Sequence, residues 1–316
     1  MTDYIIKRSD LTSGILQEYL NRKTIENLDL TCRFAQFGEK PTVQQGYNTL
    51  RWAKFTRLTA SNVSSISTST EGTNPDGVAF DASSVTATPT QYGIVVKLTD
   101  LTISNTVIPF LKGAADRISV AMAEKIDTVI QASLLAGATN VKYGPTFGRT
   151  YPTDVVAGDK LTGPALAKWY AFLQSKGAIP FDADGSYVAI MDTACAYDLM
   201  VDTTSAGSWV DANKYSNATR IFNGEIGKLY GIRVVVSNNI TTVNSIVTLH
   251  PVYVLGKGAY GVANWQNLEI LISPDQPSTA NPLNLYRTAG AKVAFGTAVL
   301  QPDALLVVEV AASSIS

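Results

Sequence analysis

Apolar residues recur at helical spacing from Leu111 to Leu135, with Ile118, Met122, Ile126, Val129 and Ile130 forming one stripe. Asp116, Glu124, Lys125 and Asp127 fall mostly off that stripe, and Gly137 supplies a stop. A helix of about 25 residues spans roughly 38 Å, long enough to act as a spine. A second helix is predicted between a Thr162 cap and Gly177, with Pro164 in its first turn and Leu166, Trp169, Tyr170 and Leu173 inward. Asp192 caps a third, running through Leu199, and Ser9-Asp10 caps a short one carrying Leu11, Ile15 and Tyr19. Residues 138–160 and 202–220 read as loop. Strands are predicted at Tyr187–Met191, Ile232–Val236, Ser245–Leu249, Val252–Leu255, Glu269–Ile272, Ala291–Phe295 and Ala304–Val310. The class is α+β, with a strand-rich C-terminal half.

One stretch fits no core. From Thr59 to Thr90 fourteen residues are Ser or Thr, and no Lys or Arg stands between Arg57 and Lys97. Strand-like runs flank it, Leu50–Phe55 outward and Tyr92–Leu98 on the return. Read as a hairpin turning near Asn74-Pro75-Asp76-Gly77, each arm reaches up to roughly 80 Å at about 3.3 Å per residue. A compact chain of this length has a radius of gyration of only about 20 Å. Such an arm leaves its own subunit and satisfies its backbone on a neighbouring copy. That points to an assembly protein.

Composition sharpens this reading. The chain has 316 residues, 46% of them hydrophobic and only 16% charged. A sparsely charged, Ser/Thr/Ala-rich surface suits large protein contacts. With 25 basic against 26 acidic residues there is no net field to grip nucleic acid or an anionic membrane, so any DNA is enclosed and not held. Cys32 and Cys195 are expected to be reduced, buried thiols. The first residues lack the apolar core of a signal peptide, and no run approaches a membrane span, so a cytoplasmic setting is expected.

Catalytic chemistry finds little footing. Gly256-Lys257-Gly258-Ala259-Tyr260-Gly261 matches the G-x-G-x-x-G fingerprint after an apolar strand, which keeps a nucleotide-using enzyme as one alternative. The motif needs a helix to follow, and Val262–Leu268 is short and poorly periodic. His250 is the one histidine, which excludes two-histidine metal motifs, and no G-x-S-x-G elbow accompanies it. Asp182, Asp184 and Gly185 read as a turn before they read as a calcium loop. No catalytic, cofactor or metal site is expected.

Four stretches resemble the major capsid proteins of tailed bacteriophages, which share the Hong Kong 97 fold with bacterial encapsulins. They are Phe37-Gly38-Glu39-Lys40 leading to Arg51-Trp52-Ala53-Lys54-Phe55, and Gln91-Tyr92-Gly93 through Leu98-Thr99-Asp100. The others are Ala123-Glu124-Lys125-Ile126-Asp127, and Gly224-Glu225-Ile226-Gly227 with Tyr230-Gly231-Ile232-Arg233-Val234-Val235. The resemblance implies an N-terminal arm over 1–45, an extended loop over 46–97, and a peripheral lobe with the spine helix over 98–185. An axial lobe over 186–290 would meet its copies around five- and six-fold axes, and strands of 291–316 would return to the peripheral lobe.

The same resemblance implies a shell of hexamers and pentamers around double-stranded DNA, or, as an encapsulin-like alternative, around an enzyme cargo. Some relatives join an extended-loop lysine covalently to a neighbour's asparagine. The outer loop here has no lysine, so a non-covalent shell is expected, with room for a separate cement protein. The segment before the loop is too short for a built-in scaffold, which implies a separate scaffolding protein, alongside a portal. Arg51, Trp52, Lys54, Phe55, Arg57 and Lys97, at the loop base, are the candidate inter-subunit contacts.

Overall fold

A computed structural model describes residues 5–6, 32–42, 48–55, 58, 63, 78–105, 110–182, 184–202, 225–273, 276–277 and 281–314. The Ser9 helix, the Asn74–Gly77 turn, Arg57 and residues 203–220 of the second predicted loop lie outside them.

Three sheets organise the described residues. The largest has the strands β5 (Val141–Tyr143), β6 (Tyr187–Met191), β7 (Glu225–Leu229), β8 (Ile232–Val236), β10 (Thr248–Leu255) and β13 (Leu305–Ala311) in the order β5-β13-β10-β6-β8-β7, with β9 (Val243–Asn244) added on β10. The second contains β1 (Ile5–Ile6), β4 (Thr90–Thr99), β11 (Tyr260–Ile272) and β12 (Tyr286–Val299) in the order β1-β4-β12-β11. The third is a hairpin of β2 (Leu50–Phe55) and β3 (Ala82–Ala87). Helices α1 (Asp100–Ser104), α2 (Phe110–Gly137), α3 (Gly163–Ser175) and α4 (Thr193–Val201) pack around the two larger sheets.

The seven-stranded sheet is covered on both faces. Val252, Val254, Leu306, Val308 and Val310 meet α3 and α4 through Trp169, Leu173, Cys195 and Leu199. On the other face Tyr253, Leu255, Leu305 and Val307 share a core with α2, β11 and β12. Two-sided burial explains why these strands read as unbroken apolar runs. Trp169 is fully buried and donates its indole N–H to the Pro145 carbonyl at 2.8 Å.

The spine helix runs a little further than predicted, to Gly137, whose lack of a side chain admits Val299. Its buried face is less purely apolar than the stripe suggests, because Asp127 and Gln131 are both buried. Asp127 accepts the backbone N–H groups of Phe34 at 2.8 Å and Arg33 at 3.3 Å, tying the strap around Phe34–Gln36 to the helix. Gln131 bonds Asn239 and Thr241. Burial outweighs the backbone N–H bonds and raises the Asp127 carboxyl.

Four local readings change. Thr162 precedes α3 but forms no side-chain cap; the Gly163 N–H donates instead to Asp202 at 3.0 Å. The strands expected on either side of Pro251 are one, β10, because Pro251 falls between the end of β9 pairing at Leu249 and the start of β6 pairing at Tyr253. Val262–Leu268 belongs to the long strand β11, whose register shifts between Asn264 and Glu269 spoil the period-two pattern. Finally, Leu50–Phe55 pairs with Ala82–Ala87, while Tyr92–Leu98 pairs with β12 in the four-stranded sheet.

Candidate inter-subunit surface

The hairpin stands on two close backbone approaches. A Cβ on Gly261 would lie 2.6 Å from the Trp52 indole, and one on Gly296 would lie 2.5 Å from the Thr88 carbonyl oxygen. Neither glycine has a positive φ, so each is required for space and not for conformation. Gly261 closes the Gly256–Gly261 fingerprint, and its role is to seat Trp52. Gly258, at φ +72°, turns the chain from β10 into strand β11, and no helix N-terminus follows for a pyrophosphate to use. The nucleotide reading of that motif is therefore set aside.

Beyond its root the hairpin meets water. Arg51, Ala53, Lys54 and Phe55 are exposed in β2, and only Ala87 is buried in β3. Ser83 donates its hydroxyl to the Lys54 carbonyl at 3.3 Å. Phe55 stacks on Phe80, ring centroids 5.3 Å apart, with the two side chains 63% and 59% exposed. Two phenyl rings stacked in water form an exposed apolar surface.

The candidate residues divide. Arg51, Trp52, Lys54 and Phe55 share one strand, with Trp52 turned onto the body and Arg51 and Lys54 turned to solvent. Lys97 is apart from them on β4, half-buried, its ammonium 5.4 Å from the Tyr286 ring. It is already engaged within its own subunit. Phe80 was not among the candidates, since one aromatic in a Ser/Thr-rich stretch carries no periodic signal. The exposed aliphatic residues at the end of the four-stranded sheet, among them Val95, Ile270, Leu271 and Ile272, were read as ordinary strand residues.

Polar groups elsewhere serve structure. Arg233 and Asp182 pair at 2.7 Å, so the Asp182 carboxylate is committed to a β8 side chain. His250 Nδ1 and Asp192 Oδ2 are 2.8 Å apart beside a hollow of about 500 Å³. Burial raises the Asp192 carboxyl, but the bonds from His250 and Thr193 outweigh it and hold it below the ordinary value. Both cysteines are free, but only Cys195 is buried as expected and Cys32 is half-buried; burial pushes the Cys32 thiol up to about 11 and that of Cys195 further. Among the described residues no cluster of three His, Cys, Asp or Glu could hold a metal ion, and no helix is long and apolar enough to cross a membrane.

The family model for phage capsid protein matches residues 81–308. The chain belongs to the phage capsid protein family. No curated protein sequence matches this capsid protein. Its fold is shared with solved capsid structures over essentially the whole chain. The capsid of Ralstonia phage GP4 matches with a TM-score of 0.72 at 12% identity, covering 100% of both chains. The cyanophage Pam1 capsid matches with 0.72 at 15% identity, over 96% of this chain and 99% of that one. The capsid of cyanophage P-SCSP1u gives 0.69 at 16% identity, over 99% and 100%. At such identities the likeness establishes the α+β fold, and the family match establishes a major capsid protein that forms the shell. It is a structural component of the virion and assembles with its own copies.

Proposed function

We propose that this capsid protein assembles through hexamers and pentamers into an icosahedral, Hong Kong 97-type shell enclosing the double-stranded DNA of a tailed phage, within the host cytoplasm. The observation that carries this reading is the β2–β3 hairpin, rooted on the body through Trp52 and otherwise exposed. A two-stranded ribbon is marginal in water and gains a second layer only from another chain. The extended loop, expected over residues 46–97, ends in this reading before β4, which is part of the body sheet, and the part ahead of it lies across the adjacent subunit.

The lobes follow sheet membership in this reading. The seven-stranded sheet with α3 and α4 forms the axial lobe, and the four-stranded sheet with α2 forms the peripheral one. Tyr260–Ile272 then goes with the peripheral lobe and Leu305–Ala311 with the axial lobe. Arg51, Lys54 and Arg57 add ionic contacts to a neighbour, each of them weak because exposed pairs contribute only about 0–1 kcal/mol. A separate scaffolding protein, a portal and a cement protein complete the assembly. The protein itself contributes no catalysis. The phage family match favours an enclosed genome over the enzyme cargo of an encapsulin.

Electron microscopy of the chain expressed alone, and then with its genomic neighbours, tests this. Closed shells or capsomer rings are expected, and their appearance only with the neighbours identifies the scaffold requirement. Uniform monomers in both preparations would overturn the reading.

A further inference from the structure

The far end of the four-stranded sheet is apolar on both of its faces. Register places Ile94, Ala291 and Ile270 in one row across β4, β12 and β11, and Val95, Gly290 and Leu271 in the next. Adjacent rows point to opposite faces of a sheet. Helix α2 covers the middle strand on one face, so Ala289 and Ala291 are buried, yet Ile94, Ile270 and Ile272 beside them are exposed. On the opposite face Val95 is 64% exposed and Leu271 48%. That outer row lies between two polar rows, Gly93-Lys292-Glu269 with its 3.2 Å ion pair and Lys97-Thr288. An apolar centre with a polar rim is the layout of a protein interface.

The chain also carries an apolar group suited to this surface, at its opposite end. The hairpin root climbs β12 from Thr88 against Gly296 to Trp52 against Gly261, which pairs with Ala298. This direction leads away from Gly290. From the Ala298 row to the Gly290 row is roughly 27 Å at about 3.4 Å per residue, and Phe55 lies about 10 Å beyond Trp52 in the outward direction. The Phe55–Phe80 stack therefore cannot reach Leu271 of its own subunit.

We infer that the Phe55–Phe80 stack of one copy docks on the Val95–Leu271 end of the four-stranded sheet of the next. This deepens the shell reading and rests on it. The contact is heterologous, hairpin to sheet end, so it propagates around a ring and closes by symmetry. Two rings about 60% exposed offer roughly 250 Å², against about 800 Å² per partner in a standard interface, so it acts as one contact among several. It is apolar where the basic residues of the same hairpin suggested an ionic one. It also needs no lysine.

Cysteine pairing in assembled shells tests this. In a Cys32→Ser background, a chain carrying both Phe80→Cys and Leu271→Cys is assembled with its genomic neighbours, oxidised and run on a denaturing gel. A ladder of covalent multimers is expected, with none from either single cysteine. In parallel, Phe55→Ser/Phe80→Ser and Ile270→Ser/Leu271→Ser should each lower shell yield at least tenfold with an unchanged melting profile. Dimers from Leu271→Cys alone would show sheet end meeting sheet end and overturn the proposal. Shells that form without a ladder, or serine variants that assemble normally, would overturn it and leave the shell reading standing. No shells from the unmodified chain would overturn both.

Discussion

Every residue of β6 and β13 is buried, whereas β3 buries only Ala87. The seven-stranded sheet is thus covered within one chain, and the hairpin is left largely exposed by it. The difference lies in what covers each face. The large sheet has α3 and α4 on one side and α2 with the second sheet on the other. The hairpin has Gly261 under Trp52 and little else. If stability concentrates in the body and assembly, as proposed, in the hairpin, substitutions should separate the two.

Removing residues 60–88 should have the largest effect, and a one-sided one. Shells are lost altogether, while circular dichroism and the melting profile of the subunit stay close to those of the intact chain. Wild-type-like particles by electron microscopy would break the comparison. Trp169→Ala should do the reverse, costing about 3–5 kcal/mol in denaturant unfolding because a buried indole and its bond to Pro145 are lost together. Gly261→Ala lies between the two regions. A methyl there displaces Trp52, so about 1–3 kcal/mol of stability should go along with much of the shell yield. Unchanged stability and yield would mean that the hairpin is not seated through that contact.

The smallest effect concerns a charge inside the large sheet. Glu309 is buried on β13, between Pro251 of β10 and Tyr143 of β5, and burial raises its carboxyl above the ordinary range. A folded-state pKa above the unfolded one means that stability is lost as pH rises between the two values. Glu309→Gln should therefore be more stable than the parent at neutral pH. The gap should close as the pH falls toward the ordinary carboxylate range, which urea unfolding at a series of pH values would follow. A gap independent of pH would remove the charge from the explanation.

What was legible in the sequence follows the same division. Tyr187–Met191 and Ile232–Val236 were read to the residue, because strands buried on both faces are short unbroken apolar runs. The hairpin's outgoing strand Leu50–Phe55 was equally clear. Its partner was not, since Ala82–Ala87 faces water and shows no alternation to read. Val141–Tyr143 stayed hidden in a Gly/Pro/Thr-rich stretch, because it is a strand only by virtue of its parallel pairing with β13. Of the candidate contacts, Trp52 faces its own body, and Lys97 belongs to a different sheet. Phe80 and Leu271 became visible only once three dimensions showed one stacked and the other uncovered.

The position of β13 has a consequence for synthesis. It lies inside the seven-stranded sheet, between β10 and β5, so that sheet cannot close until residues 305–311 have left the ribosome. At about 5–20 residues per second, that is roughly 15 to 60 s after initiation. The hairpin, made in the first third of that interval, waits on an unfinished body.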